Sequence, residues 1–257
     1  MEINLSGRTA IVCGASRGLG YECARALASY HADIVVVART QSTLDEAAAK
    51  LDTQGSGAIT VVSADVCSNE GQRSIHTACP EPDILVTNAD GPPAGDFRDW
   101  GKEEWHAAID ANMLTPIELI KTTIDGMITR KFGRIVNITS SAVKSPIGVL
   151  GLSNGARGGL TGFVAGLARD VARHNVTINN ILPGPFETQR LQNVLEAQAK
   201  MQSRSLEEVR AEWLEAIPSG RFGQPEEVGM TCLFLCMAGH MTGQNLLLDG
   251  GQYPGVF

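Results

Sequence analysis

Residues 9–20, Thr-Ala-Ile-Val-Cys-Gly-Ala-Ser-Arg-Gly-Leu-Gly, constrain the fold more tightly than any other stretch. Residues 10–13 are a short apolar run that predicts a buried strand. Gly14 to Gly20 form a glycine-rich turn, and a helical pattern follows over residues 21–28. The glycines permit positive φ in a tight turn and let a phosphate approach the backbone, while the helix beyond offers its first N–H groups and its dipole to an anion. A glycine pattern alone is weak evidence. Here a strand precedes it, a helix follows it, and a second β-branched run at residues 33–38 stands where the next strand should be, which together predict a dinucleotide-binding βαβ unit.

The rest of the chain keeps that alternation. Strand-like runs at residues 58–64, 83–87, 134–139, 177–182 and 245–248 alternate with helix-like runs at 42–51, 69–78, 103–131, 153–174, 191–216 and 225–237. Such a pattern predicts an α/β chain with a doubly wound, seven-stranded parallel Rossmann sheet and helices on both faces. A length of 257 residues with 43% apolar content suits one domain over residues 1–257. The net charge of −7 argues against nucleic acid or an anionic membrane as partner. Residues 1–4 show no basic-then-apolar leader, and the most apolar run, 228–241, is too short and interrupted to span a bilayer, so a cytoplasmic location is expected. Cys13, Cys23, Cys67, Cys79, Cys232 and Cys236 lack Cys-x-x-Cys spacing and read as reduced thiols; no metal site is expected.

In folds of this kind ligands sit beyond the carboxyl ends of the strands, so the residues just after each strand are the informative ones. After the second strand stands Ala38-Arg39, a neutral residue and an arginine where an acid would bind the ribose hydroxyls of NAD. Arg17, in the glycine turn, can reach the same point, and two arginines on one 2′-phosphate favour NADP(H) over NAD(H). The spacing of Gly14, Gly18 and Gly20, Gly-x-x-x-Gly-x-Gly, resembles the short-chain dehydrogenase/reductase family, which usually has Thr at the place of Cys13. The resemblance runs from Leu5 to Gly251 and looks nearest to the 3-oxoacyl-carrier-protein reductase-like branch. It implies strand order 3-2-1-4-5-6-7 and cofactor contacts from Gly14, Ser16, Arg17, Gly18, Leu19 and Gly20. Asp65-Val66 resembles the family's adenine-contacting pair. Thr87-Asn88-Ala89-Asp90 resembles Asn-Asn-Ala-Gly: Asn88 and Ala89 match, whereas Asp90 puts a carboxylate where the cofactor's contacts want glycine. Pro183-Gly184 with Thr188 resembles the cradle for the nicotinamide amide and diphosphate, and residues 189–217 the substrate lid, on which Arg190, Lys200, Arg204 and Arg210 could meet an anionic substrate.

The active-site stretch departs from that pattern. Asn137-Ile138-Thr139-Ser140 resembles the strand that delivers the family's catalytic serine, and Asn112 its helix asparagine, which holds a water near the site. The family's Tyr-x-x-x-Lys falls on Ser153 and Arg157. A phenol near pKa ~10 is a usable proton donor beside a cation, whereas a serine hydroxyl is far less acidic and stops close to the backbone. Ser153 is therefore expected to cap its helix. Arg157 keeps a positive charge for the nicotinamide ribose but delivers no proton. Lys144, on the loop after Ser140, is one substitute donor, water organised by Ser140, Asn112 and Ser153 a second, and a protonated Asp90 a third. Gly155, Gly158, Gly159, Gly162 and Gly166 load that helix with residues that weaken it, so close packing is expected to compensate; in the family this helix and the long one before it form a subunit interface, which implies a homotetramer or dimer. Two functions stay open: an NADP(H)-dependent oxidoreductase interconverting a small-molecule ketone (3-oxoacyl-like or cyclic) and a secondary alcohol, or an NADP(H)-binding sensor or structural partner without redox turnover.

Overall fold

Seven strands line up in the order β3-β2-β1-β4-β5-β6-β7, every neighbouring pair parallel. They are β1 (Thr9–Cys13), β2 (Asp33–Ala38), β3 (Ile59–Ser63), β4 (Ile84–Thr87), β5 (Gly133–Ile138), β6 (Val176–Pro183) and β7 (Asn245–Leu248). The helices are α1 (Gly18–Ala28), α2 (Gln41–Asp52), α3 (Asn69–Ala78), α4 (Lys102–Ile109), α5 (Thr115–Arg130), α6 (Gly151–Val171), α7 (Gln189–Gln202), α8 (Leu206–Glu215) and α9 (Pro225–Met237). This computed structural model describes residues 4–52 and 57–256; residues 1–3, part of the stretch read for a leader, lie outside the described residues. Among the described residues no helix is long and apolar enough to cross a membrane.

The period-two geometry of a strand explains the two cores. Ala10 and Val12 of β1 pack with α1, α2 and α9, while Ile11 and Cys13 point the other way, toward α3, α5 and α6. With both faces covered, the strands can be apolar throughout, as the β-branched runs are. Ile11, Ile34, Ile84, Leu85 and Ile135 are essentially removed from water, each burial stabilising the fold by roughly 1.5–3 kcal/mol.

A polar line crosses this apolar sheet. Thr87 donates through Oγ1 to Asn137 Oδ1 at 2.7 Å, Asn137 Nδ2 to Asn180 Oδ1 at 3.0 Å, and Asn180 Nδ2 to Asn245 Oδ1 at 2.7 Å. The four residues are register partners on β4, β5, β6 and β7, so the side chains meet as a consequence of strand pairing. Thr87 and Asn137 stand at or beside the ends of β4 and β5 that carry the site, and the ladder fixes these strands relative to one another.

Two helices expected to be continuous are broken. The run 103–131 is split by a π-turn at Asp110–Leu114 between α4 and α5. Pro116 is the reason: it brings no N–H to the carbonyl of Asn112, four residues back. A π-turn at such a point re-aims the side chains it carries. The helical run 191–216 is split into α7 and α8 by Ser203, whose φ of +52° ends α7, and by a capping box in which Ser205 and Glu208 cap each other's backbone.

Candidate active site

The glycine turn has the geometry of an anion seat. Gly14 and Gly18 take φ of +62° and +60°. A Cβ on Gly14 would stand 2.6 Å from Asn88 Nδ2, and one on Gly20 would run into the Gly14 carbonyl, so Asn88 and the turn close on each other with no room for side chains. Helix α1 begins at Arg17 without a side-chain cap and has no acid in its first turn, so its leading amides are left for a ligand. Ala15 N–H donates to the Val37 carbonyl at 3.1 Å, tying the turn to the tip of β2. Cys13 lies fully buried with its thiol against the Asn88 backbone, and burial pushes that thiol up to about 12. It packs and does not react. Leu19 packs partly buried against the α1-side core, and Ser16 is half-buried in the turn.

Loop 88–91, beyond β4, is contacted by three arginines. Arg157 Nη1 donates to the carbonyls of Ile138 and Thr139 at 3.0 and 2.7 Å, and its Nη2 reaches the Ala89 carbonyl at 3.5 Å. Arg39 Nη2 pairs with Asp90 Oδ2 at 2.6 Å. Arg190, two residues into α7, donates to the Gly91 carbonyl at 3.4 Å. Arg157 is buried, and desolvation, followed by the charge of Arg190, brings its guanidinium down to about 10, so it stays a cation at neutral pH. Its side chain turns back to pin the end of β5 and loop 88–91, where a ribose-holding cation would reach outward.

Asn112 rides on the π-turn and is 4% exposed, yet neither atom of its amide has a protein partner; nor does Arg157 Nε. Both residues line a small, partly open cavity of about 10 Å³, with Thr87, Asn88, Ala89 and Ile138 among its walls. That is room for one water or a single polar group. Buried, unpaired donors and acceptors beside the strand ends fit a site built to bind something polar.

Ser140 follows β5 and caps a short turn, Ser141–Val143: Oγ accepts from Ala142 N–H at 3.1 Å. With one lone pair so used, the hydroxyl proton is left to be donated outward. Ser153 does not cap its helix. α6 starts at Gly151 with Leu150 at the cap position, and Ser153 is buried inside the first turn. Lys144 is half-buried with its ammonium 5.8 Å from the Tyr253 ring centroid. Thr188 caps α7, accepting from Leu191 N–H and donating to the Phe186 carbonyl, both at 3.3 Å. Gly184 N–H donates to the Leu248 carbonyl at 2.8 Å, and Pro183 pairs with Leu248 in the sheet. Asp65 Oδ1 accepts from Cys67 N–H at 3.0 Å, and exposed Asp65 and half-buried Val66 sit at the tip of β3.

Gly14, Gly20, Asn88, Asn112, Ser140 and Arg157 thus share one end of the sheet. Of the cations over residues 189–217, Arg204 is paired with Glu212 and Arg210 with Glu187. Gly155 and Gly159 pack on Trp105 and Met113, whereas Gly158, Gly162 and Gly166 face open space, so close packing within the chain compensates only the first two. Sequence reading left Tyr253 out because nothing local marks it; a tail folded against the loop after Ser140 is a tertiary fact. The turn of Arg157 onto carbonyls was hidden for the same reason. Pro116 and the Ser205–Glu208 spacing are the local signals of the two helix interruptions that the continuous runs 103–131 and 191–216 left out.

A family model described as short chain dehydrogenase matches residues 8–199. The chain is 33% identical over 257 residues to the 3-oxoacyl-[acyl-carrier-protein] reductase FabG of Vibrio harveyi, covering 98% of this chain and 99% of the relative. It is 30% identical to the 2,3-dihydroxy-2,3-dihydro-p-cumate dehydrogenase of Pseudomonas putida, covering 96% and 95%. Among solved structures, the L-sorbose reductase of Gluconobacter frateurii complexed with NADPH and L-sorbose superimposes with a TM-score of 0.92 at 27% identity, covering all of both chains. YwfH, an NADPH-dependent reductase of bacilysin biosynthesis, gives 0.92 at 26% identity, covering 98% of this chain and 100% of that one.

Proposed function

This chain belongs to the short chain dehydrogenase family, and from that premise we propose that it uses NADP(H) to interconvert a ketone and a secondary alcohol with a proton donor other than the family's tyrosine. It is an oxidoreductase of CH–OH or C=O groups. The observation that carries the finer reading is the coincidence, at one end of the sheet, of an uncapped helix N-terminus behind a glycine turn and a serine hydroxyl pre-set as donor.

The residues present fit the cofactor. The turn from Gly14 to Gly20, including Ser16, Arg17, Gly18 and Leu19, takes the diphosphate on α1's amides. Arg39 and Arg17 take the 2′-phosphate, Asp65, Val66 and Ala89 flank the adenosine, and Asn88, Pro183, Gly184 and Thr188 border the nicotinamide half. Bound there, the cofactor supplies or accepts a hydride. Ser140 binds the substrate oxygen through its free proton. Arg157 contributes positive charge behind loop 88–91 and carries no proton to substrate, because it remains charged far above neutrality. Ser153, short and buried, is no donor either. The proton comes from Lys144, on the loop after Ser140, or from water organised by Ser140, Asn112 and Ser153, and Asn112 holds polar matter in the cavity behind the site.

The substrate is a 3-oxoacyl-like or cyclic carbonyl, and α5 and α6 carry a dimer or tetramer contact, to which the open stripe of Gly158, Gly162 and Gly166 belongs. Light scattering at micromolar concentration reads the second point, and a monomer contradicts it. A second reading, cofactor binding without turnover, is favoured by one observation: the cation at the lysine's place is committed to backbone carbonyls. Calorimetric titration with NADPH and NADH, then loss of nicotinamide absorbance against keto-acyl, cyclic and aromatic ketones, separates the two. Turnover supports the oxidoreductase; tight binding with none on any ketone, unrescued by Ser153→Tyr with Arg157→Lys, supports the other.

A further inference from the structure

The sheet order puts β1 between β2 and β4, so the residues after β2 and after β4 flank the mouth of the glycine turn. Neighbouring strands lie roughly 4.8 Å apart, so these two tips are separated by about 10 Å. Arg39 and Asp90 span that gap with a single contact of 2.6 Å. Arg39 is anchored below it, its carbonyl accepting from Ser63 Oγ at 3.2 Å, and Gly91, beside Asp90, is held by Arg190. Both partners are open to solvent, 68% and 77% exposed, so the pair is reachable and not locked by packing.

We infer that Asp90 is a specificity-determining residue: its carboxylate competes with the cofactor's 2′-phosphate for Arg39 and selectively weakens binding of the phosphorylated dinucleotide. This rests on the proposal that Arg39 seats that phosphate. A 2′-phosphate reaches the guanidinium only after displacing Asp90, and the displaced carboxylate then faces a like charge. A cofactor with a bare 2′-hydroxyl leaves the ion pair intact and meets neither cost. An exposed pair is weak, so displacement is feasible and the chain still takes NADP(H). The two charges lie in solvent, and the discrimination fades as salt screens them.

Calorimetric titrations with 2′,5′-ADP and with 5′-AMP isolate the phosphate from the rest of the cofactor. They are made on the wild type, Asp90→Asn and Arg39→Ala, each checked for an unchanged melting temperature. Asp90→Asn is expected to tighten 2′,5′-ADP by about tenfold at low ionic strength, less at 1 M salt, and to leave 5′-AMP within about twofold. Unchanged or weaker 2′,5′-ADP binding by Asp90→Asn, with Arg39→Ala weakened, overturns the competition and leaves the phosphate seat standing. Arg39→Ala binding 2′,5′-ADP as the wild type does removes the seat itself, and the competition with it.

Discussion

The glycine turn after β1 and the first two turns of α6 stand at the same end of the sheet, and they treat positive charge in opposite ways. At the turn, α1 leaves its leading N–H groups uncapped and Arg17 exposed, so binding capacity points outward. At α6, Arg157 is buried and spends both Nη1 protons on the Ile138 and Thr139 carbonyls, so binding capacity points inward. The difference teaches that a cation can be turned wholly onto the scaffold: Arg157 ties the end of β5 to loop 88–91. Under the proposed function, cofactor binding and proton delivery are separable, because hydride positioning and general acid catalysis are independent contributions.

Breaking the inward half should do the most damage to the fold. Arg157→Met strips the donor from two buried carbonyls, and weakly from the half-buried Ala89 carbonyl, and the expected loss is about 3–5 kcal/mol. Thermal unfolding should show a fall of roughly 10 °C for a chain of this size. Arg157→Met melting like the wild type would mean that the guanidinium pins nothing. Next comes the outward half: Gly14→Ala forces a side chain into φ of +62° and toward Asn88 Nδ2. It should cost about 1–3 kcal/mol and abolish NADPH binding in calorimetry.

A smaller effect sharpens the outward half. Arg39→Ala should weaken NADPH by roughly tenfold and leave NADH unchanged, as expected for one charge-assisted contact. Equal loss for both cofactors would take the 2′-phosphate away from β2's tip. The smallest effect concerns the start of α9. Arg221 and the Gln224 N–H hold the Glu227 carboxyl down to about 2. A carboxylate lowered on folding stabilises above its ordinary pKa near ~4.5 and loses that contribution as pH falls toward its folded value. Glu227→Gln should therefore cost under about 1 kcal/mol at pH 7 and nothing measurable at pH 2, read by denaturant titration at both. Arg157 binds its proton throughout the range below about 10, so any pH dependence of turnover near neutrality belongs to another group.

The fold was legible because most strands are apolar runs rich in β-branched residues and bounded by turn residues, with β7 a leucine run, and both cores follow from side chains alternating along β1. The glycine seat was legible for the same local reason: strand, turn and helix are adjacent in sequence. What the sequence could not display are directions that depend on tertiary closure. Arg157 carries the charge expected at its position, yet only the packed structure turns it onto Ile138 and Thr139. Asp90 was marked as a departure, but its partner Arg39 lies two strands away in the sheet. Ser153, expected at a helix cap, sits inside the first turn because α6 starts two residues earlier, at Gly151. Thr87 read as a lost asparagine, and it proves to be one end of a side-chain ladder that exists only once four strands are in register.

The measurement closest to the centre of this account is single-turnover oxidation of bound NADPH, followed by nicotinamide absorbance, in the wild type and in Ser140→Ala, with cofactor affinity measured on the same samples. The account predicts turnover of a keto-acyl or cyclic ketone by the wild type and a fall of about 10²-fold in Ser140→Ala with affinity unchanged. Tight NADPH binding by both proteins, with no oxidation by the wild type across the ketone panel, would contradict it.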